Sequence, residues 1–206
     1  MTDVQACRPG HAGRIPAFVT VLGFALLLAA PQLHAADAPP KAIDAPPKAI
    51  DACALLTPDE VTSVVGKDVE ITQPFDNGIT PQGAHSTTCI WASPLAPGVE
   101  PDPTKRLGGR GFVVISVMNW PGGPGDARKF LDDFHRAFQE HGIESKPVAV
   151  SVGADDALWW GDGVAARKNG VSIGVSVAQF GDRAARQPQA ESLARLIVKR
   201  LPARAP

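Results

Sequence analysis

Residues 164–177 read VAARKNGVSIGVSV, two alternating apolar runs on either side of Asn169-Gly170. Asn-Gly between such runs is the strongest short-range hairpin signal, because both residues tolerate the tight backbone that a two-residue turn needs. With that turn, Lys168 faces Val171, Ala166 faces Ile173 and Val164 faces Val175, all on one side of the sheet. The other side of the second strand carries Ser172, Gly174, Ser176 and Ala178. A row of small side chains lets something approach closely, either a packed helix or a ligand.

The hairpin also disposes of a motif. Gly170-Val171-Ser172-Ile173-Gly174 matches the G-x-S-x-G pattern of serine hydrolases. Their nucleophile sits on a sharp turn from strand to helix and their histidine follows the serine. Here Ser172 lies inside the outgoing strand of a hairpin, and the last histidine of the chain is His141.

Upstream, Pro147–Val152 and Ala157–Trp160 read as further strands. Neighbouring strand residues point oppositely, so at most one of Trp159 and Trp160 faces a given side. The outward one is an aromatic candidate for a binding surface, and Trp120 is another. Asp126–His141 has apolar residues at helical spacing, Ala127, Phe130, Leu131, Phe134, Ala137 and Phe138. Gly142 closes this helix, with Ile143 folding back on Phe138. Before it, Gly122-Gly123-Pro124-Gly125 faintly resembles a phosphate cradle. Pro121 and Pro124 lack the N–H groups a cradle needs, and Asp126 fills the helix end with its own charge, so this reads as a loop. Gly111–Asn119 is apolar on both alternate sets, as in a central strand covered on both faces. Gln187–Leu201 reads as the closing helix, with Lys199 and Arg200 suited to its C-terminal dipole.

In Asp51–Trp91, Thr57, Pro58 and Glu60 mark a helix start with a T-x-x-E capping box, Leu56 staples onto Val61, and Gly66 ends the helix. Asp68–Thr72 and Cys89–Trp91 read as strands. The intervening Gln73–Ser86 and the proline-rich Ala92–Gly109 read as long irregular stretches, of the kind that are functional or mobile. The second ends in a small basic group, Lys105, Arg106 and Arg110, a solvated excursion or a dock for an acidic partner.

The N-terminus has Arg8 and Arg14, then the apolar run Phe18–Ala30 and a small-residue exit ending at Ala35. That order is a secretory signal peptide, and the run is shorter than the ~20 residues of a membrane span. Residues 1–35 are therefore expected to be removed. No second apolar stretch of that length follows, so no transmembrane segment is expected afterwards. Residues 37–50 repeat Asp-Ala-Pro-Pro-Lys-Ala-Ile in tandem, and 36–50 reads as a proline-rich linker.

Cleavage takes Arg8, Arg14 and Asp3 from 20 basic and 21 acidic side chains, leaving 18 and 20. A slightly acidic chain lacks the basic footprint of a nucleic-acid binder. Cys7 leaves too, so Cys53 and Cys89 are expected to form one disulfide in an oxidising compartment, periplasmic or secreted, worth roughly 4 kcal/mol on the chain-entropy model. His135 and His141 are six apart and point to different faces of their helix, and nothing in the spacing completes a metal set around Asp132, Asp133 and His135. No cofactor is implied.

Residues 51–206 are thus expected to form a single α+β domain. It should have an antiparallel sheet of about five to seven strands with three helices packed on it. Asp51-Ala-Cys53-Ala-Leu55-Leu56-Thr57-Pro-Asp-Glu60-Val61, Cys89-Ile-Trp91, Gly153-Ala-Asp-Asp-Ala157 and the helix from Leu193-Ala194 to Leu201 together resemble a group of small secreted or lipid-anchored bacterial proteins. That group is classed as a domain of unknown function and is best known from actinobacterial lipoproteins. The resemblance implies a fold and a compartment and no activity; this chain lacks the lipid-acceptor cysteine of the lipoprotein members.

The functional expectation is a non-catalytic envelope protein that binds a small ligand or an envelope partner. Its candidate binding residues are Trp120, Trp159, Trp160, Arg110, Ser172 and Ser176. The alternative is an envelope enzyme, which would need His85, His135, Asp132 or Asp155 to gather in one cleft.

Overall fold

The alternating runs pair into one antiparallel sheet of seven strands in a computed structural model that describes residues 46–140 and 147–202. In chain order the strands are β1 Glu70–Ile79, β2 His85–Ala92, β3 Phe112–Asn119, β4 Val148–Ala149, β5 Asp156–Trp159, β6 Gly163–Lys168 and β7 Val171–Ala178. Among the described residues the α-helices are α1 Pro58–Val65, α2 Pro124–Glu140 and α3 Arg183–Arg200. The order across the sheet is β1-β2-β3-β7-β6-β5-β4. Two meanders therefore meet where β3 pairs with β7, and α2 is the connection that carries the chain from the middle of the sheet to its far edge. This is the α+β architecture the patterning implies.

One face of the sheet makes the main core. Cys89 and Trp91 of β2, Val113, Ile115 and Val117 of β3, and Ile173, Val175 and Val177 of β7 lie under Val61 and Val65 of α1 and Leu193, Ala194 and Ile197 of α3, all buried. The Cys53–Cys89 disulfide, Cα–Cα 5.1 Å, ties the 3-10 turn Ala52–Leu55 to β2. α1 begins as its sequence implies: Thr57 Oγ1 accepts from Glu60 N–H, Glu60 Oε2 accepts from Thr57 N–H, and Gly66 ends the helix at φ 74°. Glu60 also grips Arg200 at the end of α3, whose Nη1 donates to Leu55 O at 2.7 Å.

Several boundaries differ from expectation. β1 runs to Ile79 instead of ending at Thr72, and β2 begins at His85. β1 is an edge strand, mostly exposed, with Pro74 inside it and register shifts at Ile71/Gln73 and Asp76/Gly78, so beyond Thr72 it has no apolar alternation to read. β4 is only Val148–Ala149. α3 starts at Arg183 with Pro188 inside it, rather than at Gln187. α2 begins at Pro124, and the expected ending at Gly142 and Ile143 lies outside the described residues. So do the export signal and the first repeat. The last residues of the expected linker lie against the sheet: Asn119 Nδ2 donates to Lys48 O at 2.8 Å, Thr87 Oγ1 donates to Ile50 O, and Ile50 packs on the main core.

Candidate functional site

The second face of the sheet is built differently. Strand register places Thr88, Ser116, Gly174 and Ala165 in one row across β2, β3, β7 and β6. Ser86, Met118, Ser172 and Arg167 form the row beside it. Only Met118 and Arg167 among these are large. A Cβ on Gly174 would meet only Ser116 Cβ, at 4.0 Å.

α2 crosses β6 and β7 on this face. Phe130 and Phe134, four apart, share the helix side turned to the sheet. They extend an aromatic series: Trp120 to Phe130 at 5.3 Å between centroids, Phe130 to Phe134 at 6.4 Å, and Phe134 to Trp160 at 6.1 Å, edge-on. The start of α2 is held in place by the β6–β7 turn. Trp120 N–H donates to Gly170 O at 2.9 Å, and a Cβ on Gly170 would lie 2.8 Å from Gly123 Cα. Left-handed φ in that turn falls on Asn169, at 55°. Gly170 is therefore needed for close approach of the Gly123 backbone. Asp126 accepts from Gly122 N–H at 2.9 Å, so a carboxylate already occupies this helix start, and of the expected loop Gly122–Gly125 the last two residues, Pro124 and Gly125, are the first of α2.

Large residues standing off a small-residue floor leave a crevice. Its inner chamber, about 210 Å³, lies over Ser116, Gly174, Ser176 and Ala165 and under Phe130, Phe134 and Trp160, with no charged side chain in its lining. Its outer chamber, about 440 Å³, is lined by Thr80, Gln82, Trp120, Asp126, Lys129 and Asp133. Met118, Phe130 and Phe134 line both. Ser172, 2% exposed, lines the inner chamber, and its Oγ accepts from Trp120 Nε1 at 2.9 Å. That bond joins a wall residue of the outer chamber to a floor residue of the inner one.

Four of the expected binding residues, Trp120, Trp160, Ser172 and Ser176, thus line one crevice. Trp159 points to the opposite side and packs on the main core, as the alternation of neighbouring strand residues requires. Arg110 lies elsewhere, 3.5 Å from Glu70 and donating to Leu107 O at 3.1 Å, where it pins the long loop to β1. Sequence reasoning missed Met118, Ser116, Phe130 and Phe134 as site residues. The two phenylalanines carry an ordinary helical signal, and only the smallness of the floor beneath them turns packing into a cavity.

On the other flank of α2 is a polar groove of about 400 Å³ that brings Asp132 and His135 near Asp155 and Asp156. Those two acids are already engaged. Arg167, its side chain 12% exposed, donates to Asp156 at 2.7 Å and to Asp155 at 3.4 Å, and Asp155 also accepts from Asn169 N–H at 2.8 Å. His85 is apart from them, 2.7 Å from Asp76. Among the described residues no group of three or more His, Cys, Asp or Glu side chains is placed to hold a metal ion.

Comparison with protein-family models, with curated proteins and with solved structures gave no match to this chain.

Proposed function

We propose that the protein is exported and acts in the cell envelope as a non-catalytic binding protein, holding a small ligand in the crevice between α2 and the sheet. The observation that carries this is the pairing of an aromatic wall with a floor of Ser116, Gly174 and Ser176, which leaves space where a core would have side chains. Pockets for small molecules have this composition, apolar walls with a few placed polar groups. Ser172 is already an acceptor for Trp120, which speaks for positioning and against nucleophilic use. The polar groove with His135 is where an enzymatic reading would have to operate, and its Asp155 and Asp156 are tied to Arg167, which favours a structural role there.

Export is supported by the signal-like order of residues 1–35, by the resemblance to secreted and lipid-anchored bacterial proteins, and by the disulfide, which persists in oxidising compartments. No helix among the described residues is long and apolar enough to cross a membrane. The test is native mass spectrometry of the protein purified from the periplasm. A copurified small molecule that is lost on Gly174→Leu is the expected result. A chain that is bare in both forms overturns the ligand reading.

A further inference from the structure

We infer that the ligand is a neutral acyl amphiphile, its chain in the inner chamber, its carbonyl at Ser172 and its head in the outer chamber. This rests on the crevice being a binding site. The two chambers differ in chemistry. The inner lining has no charged side chain, so a charged group placed there gains no ionic partner for the water it gives up. Its 210 Å³ exceeds the ~150 Å³ cavity that takes benzene, which scales to a chain of roughly eight carbons. The outer lining adds polar groups to its aromatic wall: Thr80, Gln82 and two carboxylates, Asp126 and Asp133, against one ammonium, Lys129. Lys129 is already paired with Asp133, so a carboxylate head meets acids and no free cation, whereas a hydroxylated head meets donors and acceptors.

The junction between the chambers supplies the specific contact. Ser172 Oγ accepts from Trp120 Nε1 and, as a hydroxyl, can still donate its own proton. A donor 2% exposed in an apolar chamber is placed for an acceptor oxygen on the ligand. In an acyl ester that oxygen is the carbonyl, at the boundary between chain and head. Both the floor and the partition of polarity are then accounted for by one molecule.

The probe is 1-octanoyl glycerol, titrated into the oxidised protein purified after export and delipidated, with tryptophan fluorescence as readout because Trp120 and Trp160 line the crevice. Gly174→Leu is the blocking variant: the backbone there is extended, and the new side chain enters the inner chamber past Ser116. It should fold with an unchanged or raised Tm and lose binding by at least about tenfold. Ser172→Ala should weaken the ester about tenfold while changing the ether analogue 1-O-octyl glycerol less than about twofold, a split that a structural loss at Trp120 cannot produce. Equal binding by Gly174→Leu and the unaltered chain overturns the site, and tighter binding of octanoate than of the ester overturns the neutral head. If no octanoyl probe binds up to about 1 mM, the acyl inference fails. Where a copurified molecule is still lost on Gly174→Leu, the crevice survives as a site for another ligand; where none copurifies, both readings fall.

Discussion

Gly170 and Gly174 lie four apart on one hairpin and are glycine for opposite reasons. At Gly170 a side chain would meet the Gly123 backbone, 2.8 Å from its Cα, and two main chains cannot both keep their places. Gly170→Ala should therefore cost about 1–3 kcal/mol in urea denaturation and loosen the start of α2. At Gly174 the added Cβ meets only Ser116 Cβ, at an ordinary contact distance of 4.0 Å, so substitution there changes the crevice and spares the fold. Glu60 is the residue whose ionisation matters most to the packing of α1 on α3. The hydrogen bond from Arg200, then that from Thr57 N–H, lowers its pKa from 4.5 to about 2. A depressed carboxylate stabilises fully above its ordinary value and progressively less as pH falls from about 4.5 toward 2. Both side chains are partly exposed, 40% for Arg200 and 28% for Glu60, so the effect is on the order of 1 kcal/mol. Glu60→Gln should be less stable at neutral pH and should remove that part of the acid sensitivity of Tm; a variant whose Tm–pH curve overlays the unaltered chain would refute the assignment.

Among the elements, the Ala52–Leu55 turn and β2 are stapled by the disulfide, and the two helices on the core face are locked by Glu60 and Arg200. Replacing both cysteines by alanine should lower stability by about 2–4 kcal/mol, read as a lower urea midpoint with a somewhat steeper slope, because the unlinked denatured chain exposes more surface. The helices should also differ in stability. α3 buries Ala190, Leu193, Ala194, Ile197 and Val198 against β6 and β7, whereas α2, among its described side chains, buries Ala127 and Leu131 and roofs the two chambers. Native-state hydrogen exchange should therefore show α2 amides opening at lower free energy than those of α3, and a bound ligand should slow α2 selectively. Equal protection in the two helices would mean the crevice is closed by tighter packing than its lining implies.

At the scale of the molecule, the seven-stranded sheet works as a two-sided layer with one filled face and one partly filled face. The filled face was readable in advance: Val113, Ile115, Val117, Ile173, Val175 and the α3 positions carry periods that are local properties of the chain. So were the hairpin register, the α1 capping box and the disulfide, each set by residues a few positions apart or by the cysteine pair that remains when Cys7 is assigned to the expected export signal. The length of β1 was not readable, because an exposed edge strand held by backbone pairing leaves no side-chain pattern. Nor was the early start of α3, since packing on β6 and β7 outweighs the local cost of Pro188. The crevice was legible only in halves. The small-residue strand Ser172–Ser176 and the phenylalanines of α2, Phe130 and Phe134, each appear in the sequence, 38 or more positions apart. Their juxtaposition depends on the β3–β7 pairing and on α2 crossing that face and no other. By itself, then, the sequence determined the α+β class, the hairpin, the two caps of α1 and the disulfide, because these rest on local conformational preference and side-chain period. Only the tertiary structure decided that a large-residue helix face would sit above a floor too small to fill the gap, because volume mismatch is a property of two surfaces brought together.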